Sequence, residues 1–143
     1  MAWASKTRHD PDTSWQTEVL GGFGSEEIIK DLKELLALIY QELPETTEVI
    51  VAQNIPVREG FHANWDPSKP LINDILTEYN AGIPGVVDEF RLAGKHVSYV
   101  DLWNTVQSTD EYDELGMQPN LVASERIAQV WYEKIMEIVE QQE

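Results

Sequence analysis

The stretch Leu115-Gly116-Met117-Gln118-Pro119-Asn120 decides how the rest of the chain is interpreted. An acidic loop precedes it, and residues 122–140 after it carry apolar side chains at the spacing of an amphipathic helix. Glycine and proline are the residues that most strongly mark turns. The stretch therefore predicts a tight loop that leads into a final helix.

Working outward, two short apolar runs and two more helical patterns fill the chain between residues 25 and 102. The apolar runs are 49–52 and 97–102, and the helical patterns cover 25–43 and 71–92. Continuous apolar strands are typical of a parallel sheet covered on both faces. The order helix, strand, helix, strand, helix predicts an α/β fold with a right-handed crossover between parallel strands.

The same patterns predict the core and the helix boundaries. We expect Val51, Ile55 and Val100 at the centre of the sheet, with Leu35 and Trp131 packed on it from the helices.

Three residues are expected to shape the helix ends and the middle helix. Ser25 is predicted to cap the first helix, Pro84 to kink the second and Gly94 to end it.

This ordered set, covering about residues 46–139, resembles the SGNH (GDSL-type) hydrolases, especially the branch that includes acetyl xylan esterases. Residues 49–56 resemble the penultimate core strand of that family, 79–87 the crossover helix and 94–102 the last strand. The resemblance implies a flavodoxin-like three-layer sandwich with a parallel sheet. Only its last two strands are recognisable, so we expect an incomplete fold: an irregular arm at 1–24 and the C-terminal portion of the domain at 25–143.

The last block departs from the family where proton transfer is needed. The family's block reads Asp-Gly-x-His-Pro-Asn, and its Asp and His belong to a Ser-His-Asp triad. Leu115 stands at the Asp position and Gln118 at the His position, while Gly116, Pro119 and Asn120 are retained. Glutamine cannot act as a general base near neutral pH.

These departures from the family's block allow three interpretations of the function. No Gly-Asp-Ser block precedes a helix in this sequence, and we expect no intact catalytic residue. The leading interpretation is an esterase-like protein without activity. The alternatives are a fragment of an active esterase whose N-terminal half is missing, and a non-catalytic binding or interaction module.

The resemblance also implies a cleft at the carboxyl ends of the strands, where open α/β sheets bind ligands. We expect Asn54, Phe61, Trp65, Pro119 and Asn120 to line it. The two aromatic side chains could stack on a sugar ring or, equally, cover exposed core. The expected ligand is a carbohydrate or an ester, without a cofactor.

Composition restricts the other classes of function. The formal charge of −16 argues against nucleic acid and against an anionic membrane surface. There is no cysteine, and the acidic residues 110–114 lack the spacing of a calcium loop, so no metal site is expected. Residues 1–8 show no signal-peptide pattern, whereas the resemblance implies an extracellular protein; the compartment stays open.

The final expectation concerns association. In the family's sheet the strand at 49–52 has a neighbour on its far side that this sequence does not supply. No charge or proline interrupts this strand, so its open edge predicts either a homodimer that rising salt would favour or a marginally soluble protein.

Overall fold

The computed structural model describes residues 24–143 and contains three long helices and two short strands. In chain order they are α1 (Ser25–Glu42), β1 (Val49–Ala52), α2 (Ile72–Leu92), β2 (Val97–Val100) and α3 (Leu121–Gln142). Three 3-10 turns lie in the loops, at Ala63–Trp65, Trp103–Thr105 and Thr109–Glu111. The predicted element order is confirmed; the predicted arm, apart from Gly24, lies outside the described residues.

The two strands pair in parallel, in a register that runs from Val49 opposite Val97 to Ala52 opposite Val100. Flanking backbone hydrogen bonds extend the ladder, from the N–H of Val49 to the carbonyl of His96 and from the N–H of Gln53 to the carbonyl of Val100. Within residues 24–143, β2 is the only strand that pairs with β1.

Helices cover both faces of this small sheet, which gives the three layers predicted from the sequence. The larger core cluster joins α1 and α2 to one face, and its fully buried members include Leu36, Leu76 and Ile83. The smaller cluster joins α3 to the other face around Ile50 and Val100. Most of the apolar burial therefore lies on the α1–α2 side.

The predicted core needs three corrections. Val51 and Val100 are buried as expected, but Leu35 is only partly buried and Leu36 takes the fully buried position. The buried apolar and aromatic residues of α1 recur every four residues from Ile28 to Tyr40, and Leu35 lies beside this line. Ile55 and Trp131 are partly buried, because Ile55 lies beyond the paired part of β1 and α3 covers the sheet only loosely.

The helix boundaries also differ in part from expectation. Gly24, not Ser25, is the N-cap residue of α1, and the Ser25 hydroxyl donates a hydrogen bond of 2.8 Å to Glu78 on α2. α2 continues through Pro84 as a single helix. It stops before Gly94, whose φ of +81° is the left-handed conformation that favours glycine at a helix end.

None of the helices in the described part of the chain is long and apolar enough to cross a membrane.

Candidate functional site

The carboxyl ends of β1 and β2 lead into two loops, residues 53–71 and 101–120, which form the candidate site. In open α/β sheets, ligands bind at this end of the strands. Both loops contain residues singled out from the sequence, and the contacts within and between the loops determine what each residue can do.

Two asparagines of α2 hold the segment that follows β1. Asn80 accepts a hydrogen bond from the N–H of Asn54 at 2.8 Å and donates one to its carbonyl at 2.9 Å. Asn73 makes the same pair of bonds with Val57, at 2.9 and 2.8 Å. The two asparagines are seven residues apart and so share one face of the helix. This polar pair on a largely apolar helix is the sequence signal that the prediction of the site missed.

Pro84 adds a third bond to this arrangement. A proline has no N–H, so the carbonyl four residues earlier, that of Asn80, receives no helical hydrogen bond. The side chain of Gln53 donates to this carbonyl at 2.9 Å. Asn80 therefore contacts the end of β1 through its side chain and through its main chain.

Asn54 lies at the start of this segment and is buried, with 8% of its surface exposed. Its main chain is bound by Asn80, whereas its side-chain Nδ2 has no hydrogen-bond partner within residues 24–143. Of the predicted cleft residues it is thus the one that combines a fixed backbone with an unused donor.

The predicted aromatic residues divide between the two roles considered for them. Phe61 is partly buried against the larger core cluster, while Trp65 is 60% exposed. Their rings meet edge to face, with centroids 5.4 Å apart and an interplanar angle of 79°. The guanidinium of Arg58 lies 5.7 Å from the centroid of Phe61. Phe61 covers core and supports Trp65, whose ring is largely accessible.

Arg58 and Tyr112 join the two loops. The N–H of Arg58 donates to the carbonyl of Gly116 at 2.8 Å, and the hydroxyl of Tyr112 donates to the carbonyl of Pro56 at 3.0 Å. Gly116 has a φ of +76°, and a Cβ there would come within 2.7 Å of Nε of Arg58. The glycine of the last block is therefore required by backbone conformation and by the close approach of Arg58.

Leu115 and Gln118, at the positions of the family's acid and base, lie on either side of this glycine. Leu115 is 72% exposed, and Gln118 is also exposed. Asp113 fixes the turn between them, because one of its carboxylate oxygens accepts hydrogen bonds from the N–H groups of Met117 and Gln118, at 3.1 and 3.3 Å. Burial acts to raise the pKa of Asp113, but the backbone hydrogen bonds outweigh it and hold that pKa below its usual value. This nearby carboxylate is occupied in shaping the loop.

Pro119 and Asn120 connect the loop to α3. Pro119 forms an isolated bridge with Tyr112. Asn120 is the N-cap of α3: its side chain accepts from the N–H of Ala123 at 3.1 Å and donates to the carbonyl of Asp110 at 3.1 Å. The polar atoms of Asn120 are thus engaged in capping the helix and closing the loop.

An ion pair that sequence analysis did not identify anchors the same loop. The guanidinium of Arg126 on α3 bonds both carboxylate oxygens of Glu111 and also donates to the carbonyl of Thr105 at 2.5 Å. This hydrogen bonding, followed by that from the N–H of Gln107, lowers the pKa of Glu111 to about 2. Positions 111 and 126 are 15 residues apart, so no helical spacing pointed to the pair.

The described residues do not assemble a catalytic triad or a metal centre. Ser98 has an unpartnered hydroxyl, and no serine of residues 24–143 forms a hydrogen bond with a histidine. His62 contacts the carbonyl of Lys69 and His96 contacts Glu48, each through Nδ1. Across this part of the chain, no group of three or more histidine, aspartate or glutamate side chains is placed to hold a metal ion.

Comparisons with known proteins place this geometry in context. No model of a known protein family matches the chain, and no curated protein matches it. A carbohydrate esterase family 3 structure from Talaromyces cellulolyticus is 20% identical with a TM-score of 0.68, over 90% of this chain and 56% of that chain. A family 3 carbohydrate esterase from Clostridium thermocellum is 23% identical with a TM-score of 0.67, over 94% of this chain and 60% of that chain.

A third solved structure, a GDSL-like lipase from Bacteroides ovatus, is 18% identical with a TM-score of 0.63, over 85% of this chain and 34% of that chain. The chain thus spans little more than half the length of the two carbohydrate esterases. At these identities the structural similarity shows the fold alone, and it confirms the fold class predicted from the ordered set of elements. The described chain has the three-layer α/β fold of the SGNH (GDSL-type) hydrolases.

Proposed function

We propose that the chain is an SGNH/GDSL esterase-like protein, related to carbohydrate esterases, that does not itself hydrolyse esters. One observation carries this proposal. The loop of the last block is fixed at the carboxyl ends of the strands by Arg58 and Tyr112, yet it presents Leu115 and Gln118 where the resemblance implies a carboxylate and an imidazole.

The chemistry of ester hydrolysis explains why this substitution matters. A serine nucleophile needs a neighbouring base that takes up its proton, and that base needs a third group to orient it. A leucine side chain cannot orient an imidazole, and a glutamine amide cannot take up and return a proton near neutral pH. Asp113 does not replace the missing carboxylate, because it binds the backbone of its own turn.

Hydrolysis of an aryl acetate by the purified chain tests the proposal. We expect no rate above that of an unrelated protein at the same concentration. The double variant Leu115→Asp with Gln118→His should also be inactive, because the sequence contains no Gly-Asp-Ser block to supply the nucleophile. A saturable rate from the unmodified chain that a serine-directed reagent abolishes would contradict the proposal.

The fragment interpretation is distinguished by the same pair of proteins. Adding a separately produced esterase segment that contains a Gly-Asp-Ser block should leave the unmodified chain inactive, since Leu115 and Gln118 are still present. If the added segment gives activity with the double variant but not with the unmodified chain, the chain is a degenerate half of an esterase. If it appears with the unmodified chain, inactivity is not intrinsic to the last block and the proposal fails.

A non-catalytic carbohydrate-binding role is the second candidate, and the exposed ring of Trp65 favours it. Aromatic faces stack on the C–H surfaces of sugars, and Phe61 contacts the Trp65 ring edge to face. Titration with an acetylated xylo-oligosaccharide, followed by calorimetry, should give saturable binding that Trp65→Ala abolishes. Tyr132→Ala is the matched control, because that ring is 59% exposed but lies on α3. Equal losses in both variants, or no binding, would exclude this role.

A further inference from the structure

A cavity of about 530 Å³ lies at the end of the sheet opposite to the candidate site. It is open to solvent and is lined by the start of β2, the segment before β1, the end of α2 and the C-terminal half of α3. Ligand pockets in proteins commonly have volumes of about 300–1,000 Å³, so this cavity is large enough for a small metabolite. Its position makes it independent of the function proposed above.

Ser98 on β2 contributes a buried hydroxyl to this cavity. Only 5% of the residue is exposed, and its Oγ has no hydrogen-bond partner within residues 24–143. Val97 packs in the cluster on the α1–α2 face, and Val100 packs in the cluster on the α3 face. Because side chains alternate along a strand, Ser98 faces α3, on the side where the cavity lies. Buried hydroxyls in folded proteins are normally paired, so this donor is available to a bound atom.

Two cationic side chains of the cavity also have unused hydrogen-bonding capacity. Arg91 donates from Nε to the carbonyl of Val97 at 2.7 Å, and its two terminal nitrogens have no partner among the described residues. Lys134 is only 18% exposed, and its ammonium contacts Glu137 of the same helix at 3.3 Å. This distance is at the long end for a charge-assisted bond. A guanidinium fork and an ammonium are the groups that proteins use to bind oxyanions.

The charge of the lining is much less negative than that of the whole chain. Arg91, Lys95 and Lys134 carry permanent positive charges, and Glu48 and Glu137 carry negative ones. Lys95 is paired with Glu45 at 2.8 Å, so the positive and negative charges of this group balance. The formal charge of the chain is −16. The carboxylates are engaged, Glu48 with His96 at 3.2 Å and Glu137 with Lys134. Among the described residues, Arg91 is thus the cation of the cavity that no carboxylate neutralises.

We propose that this cavity binds a small molecule that carries an oxyanion, either a phosphate or a carboxylate. Lys134 and the terminal nitrogens of Arg91 neutralise the charge, and the hydroxyl of Ser98 donates to one of the oxygens. Glutamine and threonine side chains at the rim supply further hydrogen bonds to a polar body such as a sugar. The volume exceeds that of a free phosphate ion several-fold, which favours an anion attached to a larger polar group.

Calorimetric titration of the full chain with glucose 6-phosphate, glucuronate and inorganic phosphate, each at constant ionic strength, tests this proposal. We expect saturable one-site binding of at least one of the two sugar anions, with weaker binding of inorganic phosphate. Binding of glucose 6-phosphate alone identifies a phosphate ligand, and binding of glucuronate alone identifies a carboxylate ligand. No saturable binding of any of the three overturns the proposal.

Three variants distinguish binding in the cavity from a general electrostatic attraction of the anion to the protein. Lys134→Gln should weaken binding about ten-fold or more, as expected for a hydrogen bond to a charged group, and Ser98→Ala should weaken it about two- to ten-fold. Lys30→Gln removes a lysine that lies on the outer surface of α1 and pairs with Glu34, so binding should stay unchanged. Equal weakening by Lys30→Gln and Lys134→Gln would show charge screening and overturn the proposal.

Thermal unfolding provides a readout that a purely structural role of Ser98 would not produce. Removing an unpaired buried hydroxyl should not lower the Tm of the ligand-free chain, because no hydrogen bond is lost. Saturating ligand should raise the Tm of the unmodified chain, since it binds only the folded state, and should raise that of Ser98→Ala less. Identical ligand-induced shifts in the two proteins would remove Ser98 from the site.

Discussion

Replacing Asn80 should show how strongly the candidate site depends on α2. In Asn80→Ala, the N–H and the carbonyl of Asn54 both lose their partners, at 2.8 and 2.9 Å, in a buried environment. A buried polar group left without a partner costs about 1–3 kcal/mol, so the loss of both should lower the free energy of unfolding by about 2–6 kcal/mol. Denaturant unfolding followed by far-UV circular dichroism measures this change. Asn104→Ala, at an exposed position, is the control and should change it by less than about 0.5 kcal/mol.

A second variant distinguishes hydrogen bonding from packing. In Asn80→Asp the shape is kept, but the carboxylate cannot donate to the carbonyl of Asn54. Burial raises the pKa of such a carboxyl, so the protonated form, which can donate, is favoured in the folded state. The variant should therefore approach the stability of the unmodified chain as pH falls, and lose stability as pH rises through the unfolded-state value of about 4. If Asn80→Ala matches the control, or if the stability gap does not vary with pH, the hydrogen bonds do not hold the segment.

Other predictions concern packing, pH and association. Gly85→Ala should stabilise the chain by about 0.5–1 kcal/mol in chemical denaturation, because alanine has the higher helix propensity. Gly82→Ala should be less stable than Gly85→Ala, because its Cβ would lie 2.8 Å from Ile29. Equal effects of the two substitutions would refute the close contact. The pKa of Glu111 is about 2, below its unfolded value near 4.5. The stabilisation that comes from its pairing with Arg126 is therefore fully present above pH 4.5 and is lost as pH falls through 2. Glu111→Gln should reduce the fall of the Tm over this acidic range. The open edge of β1 predicts a dimer that rising salt favours, and light scattering measures it. Ala52→Pro removes an N–H directed away from β2 and should abolish the dimer. A monomer at every salt concentration would mean that the edge is covered.

The elements of the fold were readable from the sequence because apolar spacing determines them. Three of the four residues of the run Val49–Ala52 are buried, as are the main periodic positions of α2, where the pattern placed them. The error at Leu35 arose because two adjacent leucines both fit a wide apolar stripe, and only the line of residues facing the sheet separates them. Ser25 was misplaced because a serine before acidic residues is a common cap, whereas a carboxylate from another helix competes for its hydroxyl.

The candidate site was less predictable, because its geometry depends on contacts between distant residues. The retained Gly116 indicated a turn, but nothing in the sequence showed that Arg58 packs against it. Asn120, which was predicted to line a cleft, caps α3, and this capping role is a local preference of asparagine that the resemblance obscured. The hydrogen bonds from Asn73 and Asn80 to the backbone could not be predicted, because the spacing of the two asparagines is the only trace of them in the sequence.

The uneven burial on the two faces of the sheet has a consequence for motion. Of the residues of α3, only Ala123, near its start, is fully buried, and the Asn120 cap and the Arg126 ion pair also lie in that part of the helix. Toward Gln142 the helix contacts the sheet only through partly buried side chains. Elements with few buried contacts open at a lower free energy than the global unfolding reaction. Amide hydrogens in the last turns of α3 should therefore exchange with solvent through local opening, long before those of α2, and this layer of the sandwich should open from the Gln142 end of the helix inward.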